Sequence, residues 1–184
     1  MKCWTRSAVA VAVLAAQLVI AERLSAQTAP ADAEAKNAMV NASFEDAAGE
    51  RPARWEPHTW SGEGDFAYAG VGRTGKRSVM IASEKGADVS WYAEVPVEPF
   101  SAYRLSGWIK TEDVNASSGR GALLNLHGVQ GVATPAVTGT RDWTRVEVVF
   151  DTRDQDSLWI NCLFGGWGLA TGKAWYDDLR LGRL

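Results

Sequence analysis

Residues 143–150 read "WTRVEVVF", and their alternation decides the class of fold. Val146, Val148 and Phe150 fall on one side of an extended backbone, with Arg145 and Glu147 on the other. A helix would scatter the same apolar positions around its circumference, so this is a strand with one face in a core. The period repeats on both sides. "YRLSGWIK" (103–110) sets Tyr103, Leu105 and Ile109 against Arg104, Ser106, Trp108 and Lys110. "GALLNLHG" (121–128) turns Leu124 and Leu126 inward, Asn125 and His127 outward. "SLWINCLF" (157–164) turns Leu158, Ile160, Cys162 and Phe164 inward, Trp159 and Asn161 outward.

Strands are expected at Met39–Phe44, Phe66–Ala69, Ser78–Ser83, Asp88–Val97, Tyr103–Glu112, Ala122–Val129, Trp143–Thr152, Leu158–Phe164 and Lys173–Leu181. Gly-, Pro-, Asn- and Asp-rich turns such as "GVGRTGK", "NASSGRG" and "GGWGLATGK" separate them. No helical apolar stripe competes after residue 40. The expectation is an all-β, antiparallel β-sandwich or barrel.

The N-terminus reads as an address. Lys2 and Arg6 precede the apolar run "AVAVAVLAAQLVIA", and "ERLSAQ" offers small residues for cleavage near Ala26. Residues 1–26 are read as a secretory signal peptide, 27–37 as a flexible leader and 38–184 as one domain. The product is expected to be secreted or periplasmic, with no membrane attachment after cleavage. Removing Lys2, Arg6, Arg23 and Glu22 takes 19 basic and 22 acidic residues to 16 and 21, a net charge of −5. That balance argues against nucleic acid, which needs a basic stripe. Cys3 leaves with the signal peptide, so Cys162 has no internal partner, and its parity makes it a buried thiol.

Eight of the nine tryptophans remain in the mature chain, more than its core requires. Trp108 and Trp159 fall on outer faces beside amides and a histidine. Tyr92, Glu94, Trp108, Asn125, His127, Trp159 and Asn161 therefore read as one ligand face. Indoles beside hydrogen-bonding groups suit a flat, partly apolar ligand such as a sugar ring.

The C-terminal stretch "GKAWYDDLRLGRL" (172–184) has an odd parity. As an unbroken strand it puts Trp175, Asp177, Leu179 and Leu181 on the inner face, a carboxylate among apolar groups. A carboxylate placed there needs a cation or hydrogen-bond donors.

Five segments now stand in order: "NASFED" followed by Trp55, "YAGVGRTGKRSVMI", "VPVEPFSAYRLSGWIKTEDV", "VTGTRDWTRVEVVF" and "GKAWYDDLRL". Together they resemble carbohydrate-binding modules of the family 4/9 type, over about residues 38–182. The resemblance implies a galactose-binding-like jelly roll and a non-catalytic module that binds polysaccharide or oligosaccharide, often within larger secreted proteins. It implies ligand contacts from Trp91 or Tyr92 with Glu94, from His127 and Gln130, and at Leu163. Trp167, in a mobile glycine-rich loop, is the alternative to Leu163. It also implies a structural calcium held by Glu45 and Asp177. The turn "GRTGKRS" lacks the carboxylate such a site uses, so the alternative is Asp177 accepting backbone N–H bonds or pairing with Arg77 or Lys76.

"GVGRTGKR" has the spacing of a phosphate loop, but a β-patterned segment follows instead of a helix, and it reads as a turn. No G-x-S-x-G is present. Asp177 and Asp178, adjacent on a strand, cannot oppose each other across a glycosidic bond. An enzyme is not expected. The competing readings are a structural or protein-interaction sandwich, which would show an apolar outer face, and a glycan hydrolase.

Overall fold

In the computed structural model, residues 36–184 are described; the expected signal peptide and most of the leader lie outside them. The strands are β1 (Ala47–Ala48), β2 (Arg51–Pro52), β3 (Glu56–Gly62), β4 (Asp65–Ala69), β5 (Ser78–Pro96), β6 (Ala102–Asn115), β7 (Gly121–His127), β8 (Gly139–Asp151), β9 (Ser157–Gly165) and β10 (Ala170–Arg183). All pairings are antiparallel. The all-β expectation holds, and among the described residues there is no helix.

β5 organises the molecule. The segments Ser78–Ser83 and Asp88–Val97, expected as two strands, form one strand of 19 residues. Its first half pairs with β4 and β10, its second with β3 and β9. Partners change around Gly86, whose φ of 108° suits glycine, and the Ser83 hydroxyl accepts the Gly86 amide and donates to the Glu63 carbonyl. Two layers result: β4–β5–β10–β6–β8 and β3–β5–β9–β7. Between them lie Ile81, Leu105, Ile109, Leu124, Leu126, Ile160, Phe164 and Leu179, all fully buried. At Gly107 of β6 a methyl group would come within 2.9 Å of Leu124 on β7, so the layers meet there at glycine. The chain docks onto β10 from Asn37, which donates to the Leu179 carbonyl and accepts the Leu181 amide.

Two expectations fail locally. Met39–Phe44 is a turn, not a strand, and it carries Phe44 into the core against Trp55, ring centroids 4.9 Å apart. The inner parity of β10 also breaks. Ala174 and Tyr176 point inward and Trp175 outward, and then a bulge between Asp177 and Arg180 restores Leu179 and Leu181 to the core. Asp178 supplies the positive φ, 48°.

Candidate functional site

The outer face of the β3–β5–β9–β7 layer carries rows set by strand register. Glu94, Trp159 and His127 form one row across β5, β9 and β7; Tyr92, Asn161 and Asn125 form the next; Ser90, Leu163 and Leu123 the third. β3 adds His58 opposite Ser90. Its register slips between Thr59 and Ser61, which makes Trp60 the unpaired residue of a bulge and aims its indole over the face.

The aromatic rings form a closed circuit. Trp60 meets His58 at 4.6 Å between centroids, His58 meets Tyr92 at 6.2 Å, and Tyr92 meets Trp159 at 4.9 Å. His127 then lies 5.6 Å from Trp159 and 5.9 Å from Trp60. Such packing fixes the rings' orientations before any ligand arrives. The face also carries a buried polar ladder. Ser90 Oγ donates to Asn161 Oδ1 at 3.1 Å, and Asn161 Nδ2 donates to Asn125 Oδ1 at 3.1 Å. Trp60 and Trp159 remain 40% and 39% exposed, a large apolar surface to leave in water.

Beside the circuit opens a cleft of about 620 Å³. Trp60, His127 and Trp167 flank it, Leu163 lies in its lining, and Asp88, Asn125 and Gln130 supply polar groups. Beyond Tyr92 a second depression of about 450 Å³ holds Arg54, Glu56 and Glu94, with Ser157 Oγ donating to Glu94. Burial pushes the Asp88 carboxyl above its ordinary range, against the opposing pull of the Gly166, Trp167 and Gly168 amides.

The structure brings Tyr92, Glu94, Asn125, His127, Gln130, Trp159 and Trp167 to this one face. Four expectations need correcting. Trp91 belongs to the core, 2% exposed, its Nε1 donating to the Met80 carbonyl and its ring edge-on to Phe66. Trp108 faces outward as expected but on the other layer, under the Arg73 guanidinium at 3.7 Å. Asn161 is buried in the ladder, 1% exposed, and takes a structural part. Trp167 does not sit on a slack loop. The Leu169 amide donates to Ser118 Oγ and the Arg120 amide to the Gly165 carbonyl, bracing it. Sequence reasoning missed His58, Trp60 and Asp88; for the first two the one signal available was the pair of rings in "HTW".

Glu45 and Asp177 both grip the turn Gly72–Arg77. Asp177 Oδ2 accepts the Arg73 and Thr74 amides at 2.6 and 3.3 Å, and its Oδ1 accepts the Asp178 amide at 2.7 Å. Glu45 Oε1 accepts the Lys76 and Arg77 amides at 2.9 and 2.8 Å. A methyl group at Gly75 would lie 2.4 Å from that carboxylate. Backbone N–H groups satisfy both oxygens of Asp177 and Oε1 of Glu45, and their positive ends repel a cation at those atoms, so this donor set does not fit the metal. Among the described residues no three His, Cys, Asp or Glu side chains converge on a metal position. Millimolar calcium is expected to move the thermal midpoint by less than about 1 °C relative to a chelator. A rise of several degrees in a melting curve would restore calcium to the site.

No family model matches the sequence, and no curated protein does. Solved structures do. TmCBM61, described in complex with β-1,4-galactotriose, superposes with a TM-score of 0.54 at 18% identity, over 81% of this chain and 99% of that one. The CBM22-1 xylan-binding domain of Xyn10C from Paenibacillus barcinonensis gives 0.51 at 15%, over 81% and 95%. The Stig cyclase Fisc from Fischerella sp. TAU, in complex with a pyrrolidinylidene-indole, gives 0.55 at 14%, over 82% and 98%. The chain therefore has the jelly-roll fold of carbohydrate-binding modules, a fold that also houses a cyclase.

Proposed function

We propose that this is a secreted, non-catalytic module that binds glycan chains along the outer face of the β3–β5–β9–β7 layer. The closed circuit of Trp60, His58, Tyr92, Trp159 and His127 carries this reading. A rigid aromatic surface accepts the axial C–H groups of a sugar ring, and the flanking Asn125, Gln130 and Glu94 meet its hydroxyls. The two depressions on either side of the circuit suit a chain of several residues better than one small molecule. Galactan- and xylan-type ligands are the first to try, since TmCBM61 and the CBM22-1 domain are described with those.

Affinity electrophoresis in gels containing galactan, xylan or β-glucan tests the proposal. Retardation by at least one polysaccharide is expected. Trp108→Ala should migrate like the unmodified protein, because its indole lies on the opposite layer. Unretarded migration in every gel would overturn the proposal.

A further inference from the structure

Within the binding face, Trp167 stands in a backbone that should not hold itself. Gly165, Gly166 and Trp167 have φ of 106°, 78° and 61°, three successive residues on the left-handed side. For tryptophan that conformation is strained, and its indole is also 63% exposed. Such a run turns successive amides toward one point and makes a small anion-binding concavity. Here the chain fills it with its own carboxylate. The Gly166 amide donates to Asp88 Oδ1 at 3.0 Å, and the Trp167 and Gly168 amides add to its pull on the carboxyl against burial.

The rest of the loop is built around this tie. A methyl group at Gly165 would lie 2.4 Å from the Ala87 carbonyl oxygen, and one at Gly168 would lie 2.3 Å from that of Ser118. The loop is thus pressed between β5 and the segment before β7 with no room for side chains. A strained, exposed indole, a half-buried carboxylate and two close glycine contacts all cost stability, and together they place one aromatic ring at the mouth of the cleft. Arg120, 5.5 Å above that ring, leans on it from the side.

We propose that Asp88 is a positioning residue for glycan recognition, which holds the Gly165–Gly168 loop so that Trp167 forms one wall of the cleft. This rests on the glycan-binding reading and adds to it that Asp88 acts through Trp167 and not on the sugar directly.

Amide hydrogen exchange over residues 164–170 of the full domain tests the tie without any ligand. Asp88→Ala should speed exchange of the Gly166–Gly168 amides by about 10-fold or more, and Asp88→Asn, which keeps an acceptor oxygen, by less. Unchanged protection in Asp88→Ala overturns the proposal. The polysaccharide that retards the protein most then supplies the binding arm. Trp167→Ala and Asp88→Ala are each expected to weaken binding about 10-fold, and the double variant also about 10-fold. A double variant weakened about 100-fold would show that Asp88 contacts the sugar independently, and would also overturn it. If no polysaccharide is bound at all, the glycan reading fails by itself, and exchange still decides whether Asp88 positions Trp167.

Discussion

Trp60→Ala combined with Trp159→Ala is expected to weaken polysaccharide binding by about 100-fold or more, with the thermal midpoint within about 5 °C of the unmodified protein. Each indole is about two-fifths exposed and offers contact surface on the ligand face. Loss of one such contact is worth about 1.4 kcal/mol, or tenfold. Removing both also strips His127 of its two stacked neighbours and leaves Tyr92 and His58 with one ring contact between them. The remaining rings are then free to turn, and the order they had before binding is lost. The fold should survive, because both side chains lie outside the layers and the core beneath is intact. Titration calorimetry beside melting curves separates the two effects. Near-normal affinity in the double variant would remove the aromatic circuit from the site.

The fold was readable because period-two alternation holds along most of every long strand and fails only locally, at the bulges of β6 near Asp113 and of β10 near Asp178. "WTRVEVVF", "YRLSGWIK" and "SLWINCLF" place their side chains as their parity requires. The site was only partly readable, for reasons particular to each residue. Parity says that Trp108 points out, but not from which of two layers. Asn161 points out as well, yet neighbours on its own face cover it. Trp60 escaped because "EPHTWSG" does not look like a strand: it holds Pro57 and Gly62 and few apolar residues, and the bulge at Trp60 breaks its alternation. Asp88 could not be found from sequence, since its partners lie near residue 166 and meet it only when β5 and β9 pair.

Asp177 shows how one bulge rewrites a parity argument, and its removal should cost more stability than any single change on the ligand face. The bulge at Asp177–Arg180 leaves its carboxylate buried and gives it the Arg73, Thr74 and Asp178 amides as donors. In Asp177→Ala those amides lose their acceptor, and the turn is left to Glu45, to Asp178, which pairs with Arg73 and accepts the Thr74 hydroxyl, and to the packing of Arg73 on Trp108. The expected loss is about 3 kcal/mol, lowering the midpoint by about 6–12 °C. The pH dependence has a definite sign. Burial raises the Asp177 carboxyl from its ordinary value to about 6, although its three amide donors and the neighbouring Asp178 pull in opposite directions. The folded state therefore binds this proton more tightly than the unfolded chain does. Asp177 stabilises most below about pH 4, and that contribution fades as the pH rises through 6. Melting curves at pH 4 and pH 8 should show the unmodified protein losing about 5 °C more than Asp177→Asn across that interval. An equal or opposite pH response in Asp177→Asn would mean that the three amides outweigh burial and that the carboxylate is held charged throughout.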